Sequence, residues 1–351
     1  MRRYCIRGAR IGIVLVLILG LCACSNRKQS ESEKEKSIRI GVTIYRGDDA
    51  FITSLYSYME DAVKEKEKEI GRKIVLTMAD AKKNQSSQTD QVDDFIQKEY
   101  DAICVNLVDR TVASVIVNKA KEAEVPLVFF NREPVQADLD LWDKVYYVGS
   151  DAKEAGELEG QVVVEAYQKN PELFDKNGDG KIQYVLLEGD QGHQDSMIRT
   201  EYTIKTITDA GIPMERLDII TANWMRNMAY ATMLEWIGRF GDEMELVVSN
   251  NDDMAIGAIE AINENREVFT KKPQVVGTDG IKEGLEMVQK SEMLGTVKND
   301  AKGQAEAVLD IACAEALNQK VKEIRPGIKG RDERISQHMV NQDNVNEYIG
   351  E

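Results

Sequence analysis

Short apolar runs rich in Val, Ile and Leu recur along this chain. Between them lie longer stretches in which apolar residues return three and four positions apart. A strand buried on both faces reads as such a run, and an amphipathic helix as the spaced stripe. The runs predict strands over 38–44, 73–78, 102–106, 127–130, 144–148, 182–187, 217–221, 246–249, 274–277 and 294–297. The stripes predict helices over 51–69, 88–99, 111–124, 152–168, 196–210, 228–240, 252–264 and 301–317. Alternation of this kind belongs to a parallel α/β sheet. About 310 residues follow position 37, more than one hydrophobic core usually serves, so two doubly wound parallel-sheet lobes are expected. No low-complexity linker separates them. The chain should therefore cross between lobes within structured segments, through a multi-strand hinge, and leave a ligand cleft. The expected lobes are 38–129 with 298–334, and 130–297 with 335–351.

The first residues depart from this pattern. Arg2, Arg3, Arg7 and Arg10 precede an apolar run from Ile11 to Leu21, and then comes Leu21-Cys22-Ala23-Cys24. A basic start, a short apolar centre and small residues at its end describe a secretory signal peptide over 1–23. The Leu-x-Ala-Cys ending resembles a lipobox, which would make Cys24 a lipidated N-terminus and anchor the protein outside the cytoplasmic membrane. The segment 25–37 has no apolar residue and mixes both charge signs, and it reads, with Cys24, as a flexible tether over 24–37.

The whole chain carries a net charge of −16. Loss of the four early arginines would make the remainder more acidic still, which argues against nucleic acid or an anionic membrane surface as partner. Beyond the leader, Cys104 lies in an apolar run and Cys313 in a helical stripe. Both are expected to be buried thiols.

One loop carries metal-ligand chemistry. Asp175-Lys-Asn-Gly-Asp-Gly-Lys-Ile-Gln183 places oxygen ligands at alternate positions around a glycine, the spacing of a Ca²⁺ loop. Asp175, Asn177, Asp179 and Gln183 offer side-chain oxygens and Lys181 its backbone carbonyl. The twelfth position, where an EF-hand has a bidentate Glu, is Leu186 inside an apolar run. The loop should therefore open a strand, and a carboxylate from elsewhere must complete the shell.

Ligands of open α/β sheets bind beyond the carboxyl ends of the strands. Here those positions hold Tyr45-Arg-Gly-Asp-Asp-Ala-Phe51, Asn106-Leu-Val-Asp109, Asn131-Arg-Glu133, Glu188 through Arg199, Ala222-Asn-Trp224, Asn250-Asn-Asp252, Thr278-Asp-Gly280 and Lys298-Asn-Asp300. Any one Asp or Asn among them could simply cap a helix. Together, carboxylates, amides, Arg, His and two aromatic faces suit a neutral polyhydroxylated ligand. There is no nucleophile elbow, His-rich metal cluster or phosphate-binding glycine loop, which favours binding without turnover.

With Ile40 to Tyr45, Asp48-Asp-Ala-Phe51, Asn106 to Asp109, 125–134, Asp175 to Gln183, Gly192 to Arg199, Asn250 to Ala255 and Gly295 to Asp300, the chain closely resembles the bacterial galactose/glucose-binding proteins. These are type 1 periplasmic binding proteins that feed an ABC importer, and the likeness runs from Ile38 to the C-terminus. The resemblance implies a hexose held between Phe51 and Trp224. It implies polar contacts from Asp49, Asn106, His193, Asp195, Arg199, Asn251, Asp279 and Asn299. The Asp49 position implies acceptance of either 4-hydroxyl epimer, hence D-galactose or D-glucose. A Ca²⁺ shell of Asp175, Asn177, Asp179, Lys181, Gln183 and a remote Glu245 is implied too, as are a monomer and an ABC permease with its ATPase as partners. Gln194 stands where a proline is common in the family, Thr278 and Gly280 flank Asp279 differently, and the lipobox and tether replace a free N-terminus. A sugar receptor for a two-component sensor remains a second reading of the same residues, and a secreted glycosidase a third.

Overall fold

The computed structural model describes residues 36–350. The expected signal peptide, Cys24 and nearly all of the tether lie outside these residues. Two six-stranded sheets form the framework. The first contains β1 (Ile38–Ile44), β2 (Ile74–Asp80), β3 (Ala102–Val105), β4 (Leu127–Phe130), β5 (Val145–Gly149) and β11 (Asp332–Arg334), in the order β2-β1-β3-β4-β5-β11 and all parallel. The second contains β6 (Ile182–Glu188), β7 (Met214–Thr221), β8 (Leu246–Ser249), β9 (Gln274–Val276), β10 (Gly295–Asn299) and β12 (Gln337–Asn341), in the order β7-β6-β8-β9-β10-β12. Only β12 runs antiparallel, against β10.

The central strands of both sheets are buried on two faces, which is why they read as continuous apolar runs. In the first lobe Ile40, Val42, Cys104, Val128 and Val148 point into one core, and Ile103, Val105, Leu127, Phe129 and Tyr147 into the other. Helices α1 (Ala50–Ile70) and α10 (Ala301–Ala316) close the former face; α2 (Gln85–Gln97), α3 (Ala113–Glu122) and the single-turn α4 (Gln136–Leu139) close the latter. A Cβ on Gly41 would stand 2.6 Å from the Phe95 ring, so a glycine in β1 lets α2 seat its aromatic residue on the sheet. In the second lobe α7 (Arg226–Phe240), α8 (Asp252–Glu264) and α9 (Lys282–Gln289) cover one face, and α5 (Ala152–Lys169) and α6 (Gln194–Asp209) the other. Cys104 and Cys313 are buried free thiols.

The two-lobed, doubly wound architecture expected from the chain is the one observed, but one lobe boundary moves. Residue 130 was expected to begin the second lobe. Instead β5 pairs with β4 from Leu127↔Val145 to Phe130↔Val148, so the chain stays in the first lobe through Gly149 and crosses into α5. Parallel pairing of β5 is set by residues some twenty positions away, which periodicity does not report. The second crossing follows β10 at Asn299, two residues past the expected 297. The third falls between β11 and β12, at the expected 334–335 junction. β11 and β12 escaped prediction because they are short and polar, and α9 because it spans only eight residues.

Candidate functional site

Both sheets share the strand order 2-1-3-4-5, which reverses direction between the first and third strands of each lobe. Ligand crevices form at that switch point, where helix N-termini and strand C-termini share one side. The loops after β1, β4, β6 and β7 meet across the lobes. Arg46 donates to the carbonyls of Asn223 (3.3 Å) and Trp224 (3.2 Å), and Arg132 pairs with Asp190. Between them lies a small cavity lined by Tyr45, Asp49, Phe51, Ile52, Asn131, Arg132, His193, Asp195, Arg199, Trp224, Asn251 and Asp279.

Eight of the ten expected contact residues are thus brought together: Asp49, Phe51, His193, Asp195, Arg199, Trp224, Asn251 and Asp279. Of the remaining two, Asn106 stands one layer back and Asn299 lines an adjoining pocket that shares Phe51 and Asp279 with the cavity. Asn106 donates from Nδ2 to Asn131 Oδ1 (3.0 Å) and orients that side chain toward the cavity. The Asn299 side chain hydrogen-bonds Asp279 and accepts from Gln304 Nε2 (2.7 Å). Tyr45, Asn131 and Arg132 line the cavity without having been singled out, although all three sit in the strand-end segments where ligand residues were sought.

Several of these side chains cap helices as well as face the cavity. Asp49 accepts from Ile52 N (3.0 Å) at the start of α1, and Asn251 from Met254 N (3.0 Å) at the start of α8. His193 caps α6 by accepting the Asp195 amide on Nδ1 (3.1 Å). A ring that accepts on Nδ1 carries its proton on Nε2, which leaves a donor available. Burial, reinforced by Arg132 and Arg199, holds the His193 pKa well below its ordinary value, so the ring is neutral.

Two buried acids flank Arg199. Asp195 accepts from Arg199 Nη2 (3.3 Å), and Asp279 Oδ1 lies 3.6 Å from Nη1. Burial pushes Asp195 up to about 6 against the pull of Arg199, and pushes Asp279 well up, with Asp252 and Asp49 adding to it. Arg199 Nη1 also donates to Asn250 O (3.0 Å), which fixes the guanidinium plane.

The backbone is strained here. Asn131 (φ 60), Asn223 (φ 54), Trp224 (φ 62) and Asp279 (φ 127) all have positive φ, which costs about 1–3 kcal/mol apiece and persists where surrounding contacts hold it. Trp224 is held on both sides. A Cβ on Gly189 would meet its ring at 2.1 Å, and His193 lies edge-on with centroids 5.6 Å apart. Its buried Nε1 has no hydrogen-bond partner in the protein. Acceptors, donors and aromatic surfaces from both lobes therefore converge on one cleft, an arrangement that can grip a small polar molecule with apolar faces.

A profile of the periplasmic binding protein domain matches residues 40–320. The chain belongs to the periplasmic binding protein family. This places it among substrate-binding proteins and not enzymes. The D-galactose/methyl-galactoside binding periplasmic protein MglB of Haemophilus influenzae is 38% identical over 313 residues, covering 89% of this chain and 92% of that one. A putative rhizopine-binding protein of Rhizobium meliloti is 31% identical, covering 80% and 87%. Among solved structures, an ABC transporter solute-binding protein from Bacillus halodurans with bound myo-inositol superposes with a TM-score of 0.70 at 29% identity, covering 89% of this chain and 97% of that one.

Away from the cleft of this periplasmic binding protein, the 175–183 loop opens β6 as expected, and Leu186 is buried inside that strand. Asp175 Oδ1 accepts from Gly178 N (2.7 Å), Asn177 Oδ1 from Asp179 N (2.8 Å) and Asp179 Oδ1 from Lys181 N (2.9 Å). Gln183 joins Asp179 and Asn177 through its side-chain amide. Glu245 arrives from the residue before β8 and accepts from the Lys176 and Gln183 amides. Among the described residues no group of three or more His, Cys, Asp or Glu stands in metal-holding geometry. The loop carboxylates turn to their own amides instead.

Proposed function

We propose that the protein is the extracytoplasmic binding component of an ABC importer, taking D-galactose or D-glucose between its lobes. One observation carries this reading. Phe51 from the first lobe and Trp224 from the second line the same cavity as Asp49, His193, Asp195, Arg199, Asn251 and Asp279. Aromatic rings cover the C–H faces of a pyranose while the polar groups take its hydroxyls. The 38% identical MglB, named for D-galactose and methyl-galactoside, supports the choice of hexose. Capture proceeds by lobe closure, because each lobe supplies its own share of the contacts. Lipidation at Cys24 would keep the receptor at the membrane beside its permease.

The 175–183 loop is proposed as a structural Ca²⁺ site. Its donors are hard oxygens, three of them carboxylates, and oxygens that accept one amide bond retain a second lone pair for a cation. Asp175, Asn177, Asp179, Gln183 and Glu245 would hold the ion with the Lys181 carbonyl, linking the start of β6 to the start of β8.

A thermal-shift panel of monosaccharides tests the ligand, since a molecule bound only by the folded state raises its stability. Galactose and glucose should shift the melting temperature most, and a panel in which neither moves it would overturn the reading. By calorimetry, Asp49→Ala should weaken hexose binding by about 1–3 kcal/mol through lost or unpaired hydrogen bonds. Unchanged affinity would remove Asp49 from the site.

A further inference from the structure

Arg132 follows β4 in the first lobe, yet its guanidinium reaches both the cavity and the second lobe. The side chain lines the cavity and is almost wholly buried. Nη1 donates to Val108 O in its own lobe (3.2 Å), and Nη2 donates to Asp190 Oδ2 across the cleft (2.9 Å). Nε is buried with no partner in the protein. The Tyr45 ring lies against the guanidinium, 3.9 Å from its carbon, and the Tyr45 hydroxyl donates to Asp49. On the far side, Asp190 accepts the Gly192 amide (2.9 Å), and its carbonyl accepts the His193 amide (2.9 Å) at the entry to α6. Each end of the pair is therefore tied to a cavity residue, Asp49 through Tyr45 and His193 through the 190–193 turn.

We propose, taking the cleft as the sugar site, that Arg132 is a ligand-contacting residue whose salt bridge to Asp190 latches the lobes together. Nε faces the ligand's hydroxyl oxygens while Nη2 holds the second lobe, a division of labour that the rigid guanidinium fork allows and a lysine ammonium reproduces only in part. The bridge forms only with the lobes in contact. It stabilises the closed state alone, so it slows ligand release more than it speeds capture. Arg46 also spans the cleft, but to backbone carbonyls, so the Arg132–Asp190 pair is the cross-lobe ion pair of the two. The Asp190 side chain is 29% exposed, which leaves the pair open to screening by salt.

Stopped-flow tryptophan fluorescence with D-galactose and D-glucose, at low and high salt, tests the latch in the native protein, Asp190→Ala, Arg132→Ala, Arg132→Lys and the double alanine variant. Asp190→Ala should release sugar about tenfold faster with little change in association, as expected for losing a charge-assisted contact of the closed state. It should also lose most of the salt dependence of release. The double variant should match Arg132→Ala, because Asp190 acts through Arg132, and Arg132→Lys should recover part of the loss. Native release from Asp190→Ala, or losses that add in the double variant, would overturn the latch. If the native protein binds neither hexose, the sugar reading falls and small-angle scattering of the ligand-free protein decides the latch separately. A larger radius of gyration for Asp190→Ala than for the native protein supports it, and equal radii overturn it.

Discussion

Gly189 shows how much one missing methyl group can matter at the cleft. The Trp224 ring occupies the space where a Cβ would stand, at 2.1 Å, so Gly189→Ala must push the indole into the cavity. Sugar affinity should fall by roughly 1–3 kcal/mol, the usual cost of overpacking, while the far-ultraviolet spectrum stays native. Undiminished affinity on calorimetry would mean that Trp224 does not form the cavity wall in solution. Glu159, buried in α5, gives a second residue-scale expectation. Burial pushes its pKa up to about 8 from an ordinary 4.5, although Thr203 and Arg199 pull it down. Between those values the folded state keeps a proton that the unfolded chain releases, so this group's contribution to stability falls as pH rises from about 4.5 to about 8. Glu159→Gln removes that slope. Its melting temperature relative to the native protein should climb steadily toward pH 8, and parallel pH profiles would contradict the assignment. At this scale the strand-end segments held Asp49, His193, Asp195, Arg199, Asn251 and Asp279, and the resemblance to the galactose/glucose-binding proteins singled them out within those segments. The sequence could not promote Tyr45 or Arg132, whose membership follows from a ring and a guanidinium stacking between residues 87 positions apart.

Two glycines set the distance between elements. Gly156 and Gly160 lie on one face of α5, and a Cβ on either would come within 3 Å of α6, at the Arg199 carbonyl and at Thr206 respectively. The close approach holds the backbone of α6 where Arg199 meets Asp195 and Asp279. Gly156→Val should therefore destabilise the protein by about 1–3 kcal/mol and weaken sugar binding at the same time, because the displaced carbonyl belongs to a cavity residue. Gly238 in α7 is the control, with no atom near its would-be Cβ. Gly238→Ala should stabilise by about 0.5–1 kcal/mol through helix propensity, with binding unchanged. Denaturant titration of both variants distinguishes a packing glycine from an idle one. Most elements were legible because their period is local, and the core strands read as apolar runs since both faces are covered. β11 was not. Asp332-Glu333-Arg334 has no apolar residue and joins the sheet by pairing with 147–149 far upstream.

For the whole molecule, ligand and cation should act on different parts of one stability curve. Saturating hexose at a hundred times its dissociation constant should add about 2.7 kcal/mol, because it binds only the closed, folded state. Chelation should lower the melting temperature of the second lobe, whose β6 and β8 the proposed Ca²⁺ ties together through Glu245, and leave hexose affinity nearly intact. Loss of sugar binding without a change in melting would place the cation at the cleft instead. Taken by itself, the sequence determined the alternation of strands and helices, the two-lobed class, the oxygen-rich loop that opens β6 and the chemical inventory at the strand ends. Each of these is written in residues close together along the chain. The tertiary structure decided which lobe owns β5, where the chain crosses between lobes, and which strand-end residues share a cavity. Those outcomes depend on pairing and burial between residues tens to hundreds of positions apart, and no local period encodes such contacts.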